Sequence, residues 1–215
     1  MYYLAFLRGD SAQMEQELAW GAGKPGDEDV LLFAQSDTEA YYGRMSKARD
    51  FSRWAVDSAI RADSKEAAAL WRANAALREA ELGNTASAKQ SVTAALALSQ
   101  GMEVKVAAAL ALARIGDAPR AKSLVGELEK SSASNTLLKL YWLATIRAAI
   151  ELNQGKSSQA LLHLEGAAPY DWVPRGHSSI TYTPRMCVAK PPCRHTTGML
   201  RSPSSRSCWI TEASC

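Results

Sequence analysis

The stretch Gly83-Asn84-Thr85-Ala86-Ser87-Ala88-Lys89-Gln90-Ser91-Val92-Thr93-Ala94-Ala95 decides the fold. At a spacing of 33 residues, Gly116, Ala121, Val125 and Leu128 stand where Gly83, Ala88, Val92 and Ala95 stand. Four matched positions at one distance are a repeat, and a helical period of about 33–34 residues marks a solenoid of stacked helix pairs. The glycine ends one helix because it takes the left-handed conformation without steric cost. Ala88, Val92, Ala95 and Leu96 then share one face of the next helix through their three- and four-residue spacing.

The same phase extends in both directions. Ser64 is placed to cap a helix over Ala67–Leu82, and a second leading helix runs over Val104–Ile115. Gly116-Asp117 breaks that helix, and Pro119 sits in the first turn of the next, where its missing donor does no harm. Gly155, Ala160, Leu164 and Ala167 repeat the spacing after a longer helix predicted from Thr136 to Asn153, with a few residues inserted around Ser131–Asn135. Upstream, Gly43, Ala48, Ser52 and Ala55 keep the intervals, and Gly9, Met14 and Leu18 give a weaker first copy. The expected architecture is therefore an all-α, right-handed solenoid of about five helix-turn-helix units over residues 1–169. Residues 170–215 form a separate tail.

Composition agrees with this reading. Hydrophobic residues make up 47% of the chain, enough for a packed core, while aromatics supply only 7%. Small residues, alanine above all, let helices approach closely. The net charge of +3 is too small to argue for nucleic acid, and acids alternate with bases through the body. No stretch approaches the roughly 18 apolar residues of a membrane span. The run Met1-Tyr2-Tyr3-Leu4-Ala5-Phe6-Leu7 meets Arg8 and Asp10 too soon for a secretory signal, so a cytoplasmic location is expected.

These residues resemble the tetratricopeptide repeat. Ala75, Ala76, Gly83, Ala88, Val92 and Ala95 carry the likeness in the third unit, and Ala108, Ala109, Leu112, Gly116, Ala121, Val125 and Leu128 in the fourth. The family's proline after the second helix is replaced by Gln100, and its late aromatic in the first helix by Glu79 and Glu151. More narrowly, the run from Tyr2 to Ala168 is similar to the repeat region carried by many bacterial eukaryotic-like serine/threonine protein kinases. Tyr3–Asp10, Ser46–Ser52 and Tyr141–Ala149 carry that similarity. No kinase signature accompanies them, neither a glycine-rich loop nor a catalytic His-Arg-Asp segment.

The resemblance implies a protein-interaction scaffold that takes a peptide or partner helix in a concave groove lined by the first helix of each pair. By phase the groove residues are Leu70, Ala73, Asn74 and Leu77, then Val106, Leu110 and Arg114, then Trp142, Thr145 and Ala149. Such a groove is mostly apolar and suits a hydrophobic peptide or helix. The alternative is a regulatory or sensor fragment of a bacterial kinase without its catalytic domain, which implies a kinase segment encoded in frame upstream of Met1. An enzyme is not expected, nor a cofactor. His163 is an isolated histidine on a helix, Glu79 and Glu81 read as a solvated edge, and no phosphate loop, nucleophile elbow or metal-binding His pair is present.

The last 45 residues change character. All four cysteines (Cys187, Cys193, Cys208 and Cys215) and five of eight prolines lie beyond position 171, and residues 171–215 carry 6 Lys+Arg against 2 Asp+Glu. A disordered basic tail is one reading. A metal site from Cys187, Cys193, His195 and Cys208 is a second, but the spacing lacks the paired cysteines of familiar zinc sites. The third is a shifted reading frame: codons can be chosen for Gly176–Lys190 whose alternative frame resembles what the kinase-linked arrays carry after this unit. The shift is the preferred reading. With a shortened first helix and such a tail, both ends lack polar caps, so exposed Leu161, Leu162 and Leu164 and self-association are expected.

Overall fold

The computed structural model describes residues 1–131 and 135–170. Among the described residues there are ten α-helices and no strand. They are α1 (Tyr2–Arg8), α2 (Ser11–Gly21), α3 (Glu28–Tyr41), α4 (Met45–Arg61), α5 (Lys65–Glu81), α6 (Thr85–Leu98), α7 (Met102–Arg114), α8 (Ala118–Ser131), α9 (Ala144–Asn153) and α10 (Ser157–Glu165). Read in order they form five consecutive pairs, each leading helix followed by a second. The tail readings, from the cysteine site to the shifted frame, lie outside the described residues, as does most of the insertion before α9.

Each pair turns in the same way. Gly9, Gly43, Gly83, Gly116 and Gly155 all have φ between 69° and 81°. Each of these amides donates to the carbonyl three residues back, and the following amide to the carbonyl five residues behind it. Gly83 N donates to Ala80 O at 3.1 Å and Asn84 N to Glu79 O at 2.9 Å. Gly155 N donates to Leu152 O at 3.0 Å and Lys156 N to Glu151 O at 2.9 Å. This is the Schellman closure, which satisfies the last carbonyls of the leading helix and needs a residue that tolerates positive φ.

The turn also sets the phase of the second helix. Five residues after the glycine, Met14, Ala48, Ala88, Ala121 and Ala160 are all buried. Twelve residues after it, Gly21, Ala55, Ala95, Leu128 and Ala167 are buried as well. A common turn followed by a common buried stripe is what makes the pairs structurally alike. Helix boundaries follow the pattern, with Ser64 at the N-cap of α5, although its side chain makes no capping bond there.

Packing runs between sequence neighbours. The substantial helix contacts are all within a pair or between adjacent pairs: α2 on α3, α4 on α5, α6 on α7, α8 on α9, with α5 on α7 and α7 on α9 among the leading helices. One core joins Phe33 of α3 to Ala167 beyond α10, and a smaller cluster of Tyr2, Ala5, Met14 and Ala34 closes the first pair. The helix predicted from Thr136 is helical from that residue to Asn153 and contains a π-helical segment, Leu138–Leu143, that runs into α9. The six residues from Tyr141 to Ile146 are all buried. A wider turn suits that crowding, because adjacent Tyr141 and Trp142 pack edge to face with centroids 4.9 Å apart.

Polar side chains lock the second pair to the third. Trp71 Nε1 donates to the buried Asp29 Oδ2 at 2.7 Å, and the Trp71 ring stacks on Phe33 with centroids 4.4 Å apart. Arg78 donates to Ser36 Oγ at 2.8 Å, to Ser52 Oγ at 3.2 Å and to Asp37 Oδ1 at 2.5 Å. Burial raises the Asp37 carboxyl above its usual range in spite of the guanidinium beside it. Arg49 of α4 grips Glu79 of α5 with bonds of 2.7 and 3.1 Å. Glu79 and Glu81 are therefore not a solvated edge. Glu79 is buried, and Glu81 stands 3.0 Å from Arg114 of α7, because arginines of both neighbouring pairs reach α5.

Two measurements test this account. Gly83→Ala places a Cβ at φ 78°, so it should lower the unfolding free energy by about 1–2 kcal/mol in denaturant titrations. Glu79 is pushed upward by burial, but its bonds from Arg49 and Asn84 outweigh this and leave the carboxyl below its ordinary value of 4.5. Its ionised form therefore stabilises the fold fully above pH 4.5, and that contribution is lost as pH falls through the lower folded value. The stability gap between the natural chain and Glu79→Gln should be constant above that pH and close below it.

Candidate functional site

The groove expected on the leading helices is filled. Leu70, Ala73, Asn74, Leu77, Val106, Leu110, Trp142, Thr145 and Ala149 are all buried, and half-buried Arg114 faces Glu81. Every residue from Val106 to Ala113 is buried, so α7 is covered around its whole circumference by α5, α6, α8 and α9. The polar members are also occupied. Asn74 Nδ2 donates to Leu70 O at 3.0 Å, and Thr145 Oγ1 donates to Tyr141 O at 2.7 Å, each four residues back in its own helix.

The physical reason is the density of alanine at the contacts. Ala68, Ala69, Ala73, Ala76 and Ala80 of α5 meet a leading helix that contributes Ala107, Ala108, Ala109, Ala111 and Ala113. Alanine leaves little bulk at helix contacts and so lets neighbouring helices pack closely. These residues form the core between pairs.

An open cleft lies elsewhere, among α8, α9 and α10. It has a volume of about 330 Å³ and is lined by Lys122, Val125, Gly126, Glu129, Arg147, Ile150, Glu151 and His163. Lys122, Val125, Gly126 and Glu129 follow i, i+3, i+4, i+7 spacing, and Arg147, Ile150 and Glu151 follow i, i+3, i+4, so two helix faces meet across it. Val125 and Ile150 are buried and make an apolar floor. The rim is charged: Arg147 pairs with Glu129 across the cleft, Lys156 lies 3.3 Å from Glu151, and Lys122 is exposed.

Gly126 has a special place in this cleft. It lies inside α8, where glycine costs about 1 kcal/mol relative to alanine. A Cβ built there meets nothing within 4 Å, so neither packing nor a positive φ demands glycine. What the missing side chain does is leave the cleft open. Sequence spacing could have brought together Lys122, Val125 and Glu129, but the opposing face belongs to another pair and is visible only in three dimensions. His163 was read as an isolated helical histidine and stands on the rim of this cleft.

Among the described residues no group of three or more His, Cys, Asp or Glu side chains could hold a metal ion, and no helix is long and apolar enough to cross a membrane. Comparison of the chain with protein-family models, with curated proteins and with solved structures returned no match. One consequence for stability is direct. Gly126→Ala should raise the unfolding free energy by about 1 kcal/mol in denaturant titrations, opposite in sign to the same change at Gly83.

Proposed function

We propose that this chain is a protein-interaction module, an array of tetratricopeptide-like helix pairs stacked as a solenoid. A partner segment binds in the cleft between α8, α9 and α10, not along the inner face of the leading helices. Neighbour-to-neighbour packing and five equivalent glycine turns support the stacked reading. The observation that carries the binding reading is Gly126, a helix-destabilising residue with empty space where its side chain would stand, in a cleft floored by Val125 and Ile150.

The cleft suggests the kind of partner. A volume near 330 Å³ is at the small end of ligand clefts, which span about 300–1,000 Å³. It suits one or two side chains of a docked peptide better than a large cofactor. Val125 and Ile150 favour an apolar anchor, and the paired Arg147 and Glu129 with Lys122 offer hydrogen bonds of both kinds at the rim.

A random peptide library selected against the 215-residue chain tests the reading. Gly126→Trp fills the cleft from a half-buried helix position whose Cβ meets nothing within 4 Å, and should weaken the selected peptides at least tenfold by calorimetry, with the unfolding midpoint retained. Peptides that bind Gly126→Trp and the natural chain equally well would rule out this cleft as the partner site.

A further inference from the structure

We propose that a second copy of this chain docks head to tail, the α1 face of one copy against the α10 face of the next, so that the stack of pairs continues across the molecular boundary. The argument rests on register. Counted from the turn glycine, the residue five before it faces the preceding pair. Thr38 in that position accepts from the Tyr2 hydroxyl of the first pair at 3.0 Å, and Arg78 reaches back to Ser36, Ser52 and Asp37 of the second. Ala111 and Ile150 occupy it in the fourth and fifth pairs and are buried. In the first pair the same position is Leu4, which is 47% exposed, and Leu7 on that helix is 78% exposed.

The opposite end is matched in the same way. Six residues after the turn glycine, Arg49 and Lys89 reach forward to the following pair, at 2.7 Å from Glu79 and 3.5 Å from Asp117. In the fifth pair this position is Leu161, which is 52% exposed and has exposed Leu162 beside it. Nine residues after the glycine, Ser52 meets Arg78 of the next pair at 3.2 Å. In the fifth pair that position is Leu164, half-buried rather than exposed as the sequence suggested.

The boundary between the second and third pairs is polar, with Arg49 and Arg78 on polar partners, and Lys89 meets Asp117 between the third and fourth, whereas Ala111 and Ile150 make the same register position apolar in the last two pairs. The two terminal faces carry leucine at these positions, exposed where the apolar residues of the internal boundaries are buried. Continuing the internal geometry would set Leu164 of one copy against Leu4 of the next, so apolar meets apolar in register. Such an interface uses two different surfaces, so it is heterologous and grows without closing unless the rotation makes a ring.

The test is complementation between two surface variants. Leu4→Glu/Leu7→Glu blocks the front face, and Leu161→Glu/Leu162→Glu blocks the rear. The natural chain should show a weight-average mass that rises with concentration in sedimentation experiments. Each double variant should be monomeric alone, and an equimolar mixture should form a one-to-one dimer through the two intact faces. A natural chain that stays monomeric at every concentration overturns the proposal, whether another segment of the chain covers α10 or nothing does. Association that persists in either variant alone overturns it too, since a symmetric dimer needs one face only. The four leucines are exposed, so circular dichroism should be unchanged. Leu→Gln versions keep the test valid if glutamate disturbs a helix.

Discussion

A glycine held at positive φ governs the architecture of this protein. At each of the five turns the leading helix runs out of intrahelical partners for its last carbonyls, and two backbone bonds around the glycine supply them. That closure fixes the direction in which the second helix departs. The residue five positions on then points back into the pair, and it is buried in every copy. The turn is a local device, but its repetition with one geometry gives every pair the same buried stripe and presents the same face to the next pair.

How neighbouring pairs then meet depends on the size of the residues between them. At the alanine-rich boundary between α5 and α7, every α7 residue from Val106 to Ala113 is buried. The boundary between the second and third pairs is made differently, with Arg78, Asp37, Ser36 and Ser52 sharing one hydrogen-bonded cluster beside the stacked Phe33 and Trp71. A polar cluster of this kind is directional and tolerates few alternative registers, while alanine contacts are non-directional and depend on close fit. The cleft beside α8 is the place where close fit gives way. There a missing side chain, rather than a large one, determines the shape.

Parts of this were legible in the residues and parts were not. Gly9, Gly43, Gly83, Gly116 and Gly155 could be identified because the constraint on them is local: few residues other than glycine adopt that backbone. The buried stripe behind each turn followed from helical periodicity alone. The groove from Leu70 to Ala149 could not be read correctly, since whether a leucine faces solvent or a neighbouring helix depends on the distance between helix axes. Glu79 failed for the same reason. Its partner Arg49 is 30 residues away, and no helical spacing relates them. The helix starts at Thr136 as its residues predict, but its π-helical stretch is not legible there, because crowding by Tyr141 and Trp142 shows itself only once both rings must enter one core.

Local residue pattern sets the helices of the described residues, the position of every turn between paired helices, and which face of each second helix is buried. These follow from backbone sterics and from a 3.6-residue period, both of which act within a few residues. Packing between remote segments sets the rest: the inner face of the leading helices is closed, a cleft lies between α8, α9 and α10, and leucines at both ends of the described helices are exposed. Those features depend on distances between segments remote in the chain, set by the summed volumes of side chains that no local spacing records.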